Sequence, residues 1–194
     1  MGARVTSPEE ILDFWLSEIG PEGWYSGGEE IDSACEARFG AAQQAALEGA
    51  FRDWLGRPRA ALAYLILTDQ FPRNIHRGRA EAFATDPLAR SGAYVALARG
   101  HDLQIEGIEK QFFYLPFEHA ENVQAQSLSV CLFFTRMPDD PFGNLVHARA
   151  HRDIIRRFGR FPFRNAALGR VSSPAEEAFL KDEGYGAVVE RLKG

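Results

Sequence analysis

Cysteine is almost absent from this 194-residue chain, with Cys35 and Cys131 its only two. They stand far apart and outside any C-x-x-C spacing, which excludes a disulfide framework and a thiolate metal site. Cys35 lies four residues before Phe39, and Cys131 sits within SVCLFF, so both are expected as small buried core residues. Excess positive charge is lacking too. A net charge of −5 and a pI near 5.6 leave no field to hold a phosphate backbone nonspecifically, which argues against bulk nucleic-acid binding. Long apolar runs are missing as well: AALAYLIL is too short to span a membrane, and MGARVTSPEE has no apolar stretch for a secretory signal. A cytoplasmic location is the expectation. Met1-Gly2 followed by Thr6 fits the loose N-myristoylation pattern, yet no polybasic patch follows to complete an anchor. There is no G-x-S-x-G nucleophile elbow, no phosphate-cradling P-loop and no G-x-G-x-x-G after a strand, so no cofactor is implied. No segment alternates with period two, which removes the case for a sheet.

What remains is an ordinary globular composition, 45% apolar and 25% charged, with fifteen Phe. A chain this long buries about 70% of its extended surface and can build its own core. No linker divides it, so residues 1–194 are read as a single all-α domain of paired antiparallel helices.

Three helix starts share a small polar cap followed by proline: Ser7-Pro8, Asp86-Pro87 and Ser173-Pro174. Glu10 and Glu176 complete capping boxes at the first and third. A 3.6-residue stripe through Ile31, Cys35, Phe39, Leu47, Phe51 and Trp54 predicts a helix over residues 31–55. Pro58 opens a helix whose AALAYLIL run is apolar all round, so it should be the most buried element, stopping at Pro72. Further helices are predicted from Pro87 to Arg99, ending on Gly100, from Ile108 to Ala120 with a kink at Pro116, near Gln124 to Thr135, and from Asn144 to Phe158. A turn near Ala166, the Pro174 helix and a last segment around Val188 to Leu192 follow.

The unusual residues gather in two related loops, DQFPRN (Asp69 to Asn74) and RFPFRN (Arg160 to Asn165). Asp69 follows the most apolar helix, and a carboxylate near a helix C-terminus is disfavoured by ~0.3–1 kcal/mol, so it needs a cation such as Arg73. One reading makes Asp69, Arg73 and Asn74 a brace for the loop. The other has Arg73, Asn74, Arg164 and Asn165 hold the acidic group of a small metabolite or peptide. Glu118, His119 and Glu121 follow the Pro116 kink; His119 is either a general acid or base oriented by Glu121 or Asp69, or a hydrogen-bonded core histidine. His147 and His151, spaced i, i+4, are half of a metal-binding arrangement whose other half would need Glu118, Glu121 or Asp153. Without an H-E-x-x-H pattern no metal is expected. His76 and His101 lie in polar sequence and are expected to be exposed.

The phrases LILTDQFPRNIHRG, AFATDPLAR, FFYLPFEHAE and HRDIIRRFGRFPFRNAALGR, in this order, resemble the bacterial family known as domain of unknown function 924. That resemblance implies an all-helical fold related to the tetratricopeptide-repeat superfamily, although no 34-residue consensus is readable, and it implies no activity. A protein-interaction scaffold is a third functional reading, resting on that superfamily alone. By matching positions, the resemblance singles out Asp69, Gln70, Arg73, Asn74, Arg90, His119, Glu121, His151, Arg164 and Asn165. The family pattern reads FPHRN where this chain has Phe163, and LPFxHSE where it has Ala120.

Overall fold

Pro58 does open a helix, and it is the most buried stretch of the chain: Ala60 through Leu67 are at most 5% exposed. The sequence predicts a stop at Pro72, but the helix runs on to Ile75. After α4 (Pro58–Leu65) the backbone widens over Ile66–Gln70, where the Phe71 N–H reaches back five residues to the Ile66 carbonyl, and α5 (Phe71–Ile75) continues beyond. A mid-helix proline leaves the carbonyl four residues earlier without its donor. Here that carbonyl belongs to Thr68, and the Thr85 hydroxyl donates to it at 2.7 Å. Arg73 Nη1 and Asn74 Nδ2 donate to the next two carbonyls, Asp69 and Gln70, at 2.5 and 3.2 Å. Side chains thus replace the hydrogen bonding that the proline disturbs.

The computed structural model describes residues 6–193, so Met1 and Gly2 of the acylation pattern lie outside the described residues. Every regular element among those described is helical, as the sequence predicts. The chain gathers into two compact units, Met1–Pro116 and Phe117–Gly194.

In the first unit, Ser7 and Glu10 form the expected capping box at the start of α1 (Pro8–Leu12), and a single turn, α2 (Gly20–Gly23), comes before the next long helix. The predicted helix over residues 31–55 is shorter: α3 (Glu29–Leu47) closes at Gly49, φ 98, whose N–H donates to the Ala46 carbonyl while the Ala50 N–H donates to Ala45. This pair of bonds is the Schellman ending that a left-handed glycine permits. Phe51 then takes φ 64 and leads into a 3₁₀ turn, Arg52–Gly56. Asp86, expected as an N-cap, is instead the first residue of α6 (Asp86–Ala98), and its carboxylate pairs with Arg73 Nη2 at 2.9 Å. An almost buried guanidinium outcompetes the local backbone for that carboxylate. Phe71 packs edge-on against Phe14 and Trp15, centroids 5.9 and 5.5 Å apart, and obliquely against Phe39 at 4.9 Å. The sequence predicts an exposed His101; it is buried, with Nε2 3.2 Å from the Leu55 carbonyl. The predicted kinked helix over 108–120 is a 3₁₀ segment, Ile108–Phe113, followed by a single turn, α7 (Leu115–Glu118).

In the second unit, α8 (Val123–Arg136) packs on α9 (Asn144–Phe158), and α11 (Gly184–Lys193) packs on α9 as well. Ala150, Ile154, Ile155, Phe161, Phe179, Val188 and Val189 form its core. Ser173 and Glu176 complete the predicted capping box at α10 (Pro174–Ala178). Cys131 departs from expectation: it is exposed, as is Phe134, because SVCLFF wraps around α8 and only Ser129, Val130, Leu132 and Phe133 of the run reach the interior.

Candidate functional site

α9 is amphipathic, and its i, i+4 spacing puts His147 and His151 on one face, beside Tyr185 of α11. The Tyr185 ring stacks on His147, centroids 5.9 Å apart, and lies 4.9 Å from His151. α7 ends at Glu118, which is 3% exposed, and its Oε1 lies 2.7 Å from His151 Nδ1. The same nitrogen lies 3.1 Å from the His147 carbonyl. Glu118 Oε2 is buried and has no partner among the described residues. His147 Nδ1 meets the Tyr185 hydroxyl at 2.6 Å. Burial pushes the Tyr185 phenol well above its ordinary range, helped by the charge of Glu118. Burial also lowers the His147 imidazole, against the opposing charge of Glu118.

The second Phe-Pro loop forms a wall of this cluster. Phe161 meets His151 edge-on at 5.3 Å and stacks on Phe163 at 5.2 Å, while Phe163 lies 6.3 Å from Tyr185. Phe161 is fully buried, but Phe163 is 43% exposed. Arg164 is buried with its guanidinium 4.5 Å from the Phe161 ring centre. Asn165 Nδ2 donates to the Ser172 hydroxyl at 3.0 Å. His119 is half-buried and stands edge-on to His151, ring centres 6.4 Å apart.

Glu121 has other duties. It accepts hydrogen bonds from both Arg170 η nitrogens at 2.7 and 2.9 Å and from the Phe161 N–H at 2.8 Å. Burial alone would raise its carboxyl, but the Arg170 and Phe161 hydrogen bonds, with the charges of Arg170 and Arg164, hold it below the usual range. Arg160 likewise grips Glu176 through Nε and Nη2 at 2.6 and 2.7 Å, holding that carboxyl at about 2.

Asp69, Gln70, Arg73, Asn74 and Arg90 belong to the first unit. Asp69 Oδ2 accepts from Gln70 Nε2 at 2.6 Å, and its Oδ1 lies 3.5 Å from Arg73 Nη1. With Asp86 on its other side, Arg73 carries a raised pKa: burial would lower it, and the two carboxylates more than reverse that. Asn74 Oδ1 accepts from Arg77 Nη2 at 3.0 Å. Arg90 is half-buried on α6. Two open depressions in this unit, about 450 and 610 Å³, lie beside Gly27, Asp32 and Arg77 and beside Pro58, Gln104 and Glu106. In the first of them Asp32 neutralises Arg77 through two hydrogen bonds of 2.6 and 2.7 Å.

Sequence reasoning singled out His119 and His151 but not Tyr185, which no motif marks. The sequence pairs His119 with Glu121 or Asp69; at His151 a carboxylate stands 2.7 Å away, and it is that of Glu118. No three-residue group of His, Cys, Asp and Glu suited to a metal occurs among the described residues, and no helix of the described residues is long and apolar enough to cross a membrane.

Residues 11–184 match the family model described as bacterial protein of unknown function (DUF924). The chain is similar to a solved structure of a protein of unknown function, ATU0120, from Agrobacterium tumefaciens: 42% identity over 90% of this chain and 97% of that one, with a TM-score of 0.84. No curated protein matches it.

Proposed function

The chain belongs to the DUF924 family of bacterial proteins, whose description assigns no reaction, and from the chemistry of the second unit we propose a hydrolase-type enzyme working by general-base catalysis at His151. The observation that carries this reading is the 2.7 Å contact between the buried Glu118 carboxylate and His151 Nδ1. A carboxylate on Nδ1 fixes the tautomer, leaves Nε2 as the base, and places negative charge beside the imidazolium formed when that base takes a proton. His151 Nε2 has no partner among the described residues. Residues whose mutual geometry joins base and orienting group in this way are the usual signature of proton transfer. Turnover of small activated esters should be lost in His151→Gln and sharply reduced in Glu118→Gln; undiminished turnover in His151→Gln would refute the reading.

A second reading is favoured by the exposed face of Phe163 beside buried Arg164: a binding site for a small anionic metabolite or acidic peptide, with an aromatic surface and a guanidinium. A thermal-shift screen of carboxylates and phosphates tests it, with stabilisation of the wild type that disappears in Arg164→Ala as the expected result.

A further inference from the structure

His147 and His151 sit on one helix face against one tyrosine, yet their δ nitrogens meet groups of opposite hydrogen-bonding character. His151 Nδ1 faces acceptors, the His147 carbonyl at 3.1 Å and the Glu118 carboxylate at 2.7 Å. The Tyr185 hydroxyl must place its proton somewhere, and His147 Nδ1, at 2.6 Å, is its only partner among the described residues. A half-buried hydroxyl donates to the acceptor within its reach. The consequence is a pair of complementary tautomers: His151 carries its proton on Nδ1 and has a free lone pair on Nε2, whereas His147 accepts at Nδ1 and carries its proton on Nε2. The His147 Nε2–H likewise has no partner among the described residues.

Resting on the reading of His151 as the base, we infer that His147 is the hydrogen-bond donor of the same site, set in its tautomer by Tyr185, and that the substrate is a carbonyl compound, an ester or amide of a small acyl group. In the first step His151 Nε2 takes a proton from water as the water oxygen bonds to the carbonyl carbon. The carbonyl electron pair moves onto its oxygen, which accepts the hydrogen bond from His147 Nε2–H. In the second step that pair returns, the bond to the alcohol or amine breaks, and the leaving group recovers the proton from His151. Water and ester enter; acid and alcohol leave. A neutral imidazole suits the donor role, because it polarises the oxygen without adding a second proton to be managed. The flat walls of Phe161, Phe163 and Tyr185 beside the two imidazoles suit an apolar or aromatic acyl portion. Facing the pair are Glu118 from α7, His119 just after it and Tyr185 from α11, with Arg164 behind Phe161. Tyr185 is a positioning residue here, acting through His147.

The tautomers are read directly from two-bond proton–nitrogen correlation spectra of protein labelled at the imidazole nitrogens. The wild type should show Nε2 protonated in His147 and Nδ1 protonated in His151. Tyr185→Phe, which removes only the hydroxyl, should mix the His147 tautomers and leave His151 unmoved. Protonated Nδ1 at His147 in the wild type would overturn the inference. The second arm uses 4-nitrophenyl acetate and 4-nitrophenyl phosphate. The acetate should be turned over and the phosphate not; His147→Gln should lower kcat about 100-fold, the cost of one oxyanion donor, and Tyr185→Phe should lower it less with KM unchanged. If His151→Gln abolishes turnover while His147→Gln and Tyr185→Phe stay within twofold of wild type, the base stands and this inference falls. If His151→Gln is fully active, the base itself is refuted. Phosphate turnover, or no turnover of acetate, contradicts the substrate class.

Discussion

The two Phe-Pro-x-Arg-Asn-like loops share a vocabulary and do different work. In DQFPRN the polar groups are spent on the loop itself: Arg73 lies between Asp69 and Asp86, and Arg73 and Asn74 hydrogen-bond the carbonyls next to a mid-helix proline. In RFPFRN the outer residues brace the segment that follows, Arg160 on Glu176 and Asn165 on Ser172, while the phenylalanines between them wall a cluster of imidazoles. The difference teaches that a polar motif acquires a role only when its partners are counted. The first loop uses its charges on its own carbonyls and on neighbouring residues of the same unit. The second lends its aromatic rings to a neighbouring site.

The sharpest way to break this comparison is Arg73→Ala. It leaves Asp69 and Asp86, both largely buried, without their cation, and should cost about 3–5 kcal/mol, measured by urea denaturation. A loss below 1 kcal/mol would remove the case for the first loop as a structural brace. In the same unit, a Cβ on Gly92 would stand 2.9 Å from the buried Tyr64 ring, so Gly92→Ala should cost about 1–3 kcal/mol by overpacking.

For the second loop the brace is tested by acid. The Glu176 carboxyl is held at about 2 against an ordinary 4.5, so the unfolded chain binds more protons in between. Stability from the Arg160–Glu176 pair is therefore present above pH 4.5 and lost as pH falls from 4.5 to about 2; Glu121, also lowered, acts in the same sense. Glu176→Gln should flatten that part of a stability–pH curve. The smallest effect is expected at the candidate site. Glu118→Gln removes a buried charge whose Oε2 has no partner among the described residues, so stability should change by less than about 1 kcal/mol while turnover falls. A large destabilisation would mark Glu118 as a structural residue instead.

Local signals were readable in the sequence. The Ser7 and Ser173 capping boxes, the burial of α4, the limits of α9 and the stop at Gly100 each depend on residues within a few positions of one another. What was not readable depends on distant partners. The helix passes Pro72 because Thr85 supplies a hydroxyl from a later turn, and Asp86 leaves its cap for Arg73. Cys131 is exposed against expectation because an apolar run on a helix wraps around it and need not point inward throughout. At the site, His151 and its face were visible in the i, i+4 spacing. Its carboxylate was not, since Glu118 and Glu121 lie three residues apart in sequence, and only folding sends one to His151 and the other to Arg170.

The most direct test of the Glu118–His151 base is the protonation of His151 in nitrogen-15 imidazole spectra of the wild type and of Glu118→Gln. A His151 carrying its proton on Nδ1 in the wild type, and losing that preference in the variant, is the predicted result. A wild-type His151 protonated on Nε2, or one indifferent to Glu118, would contradict the account.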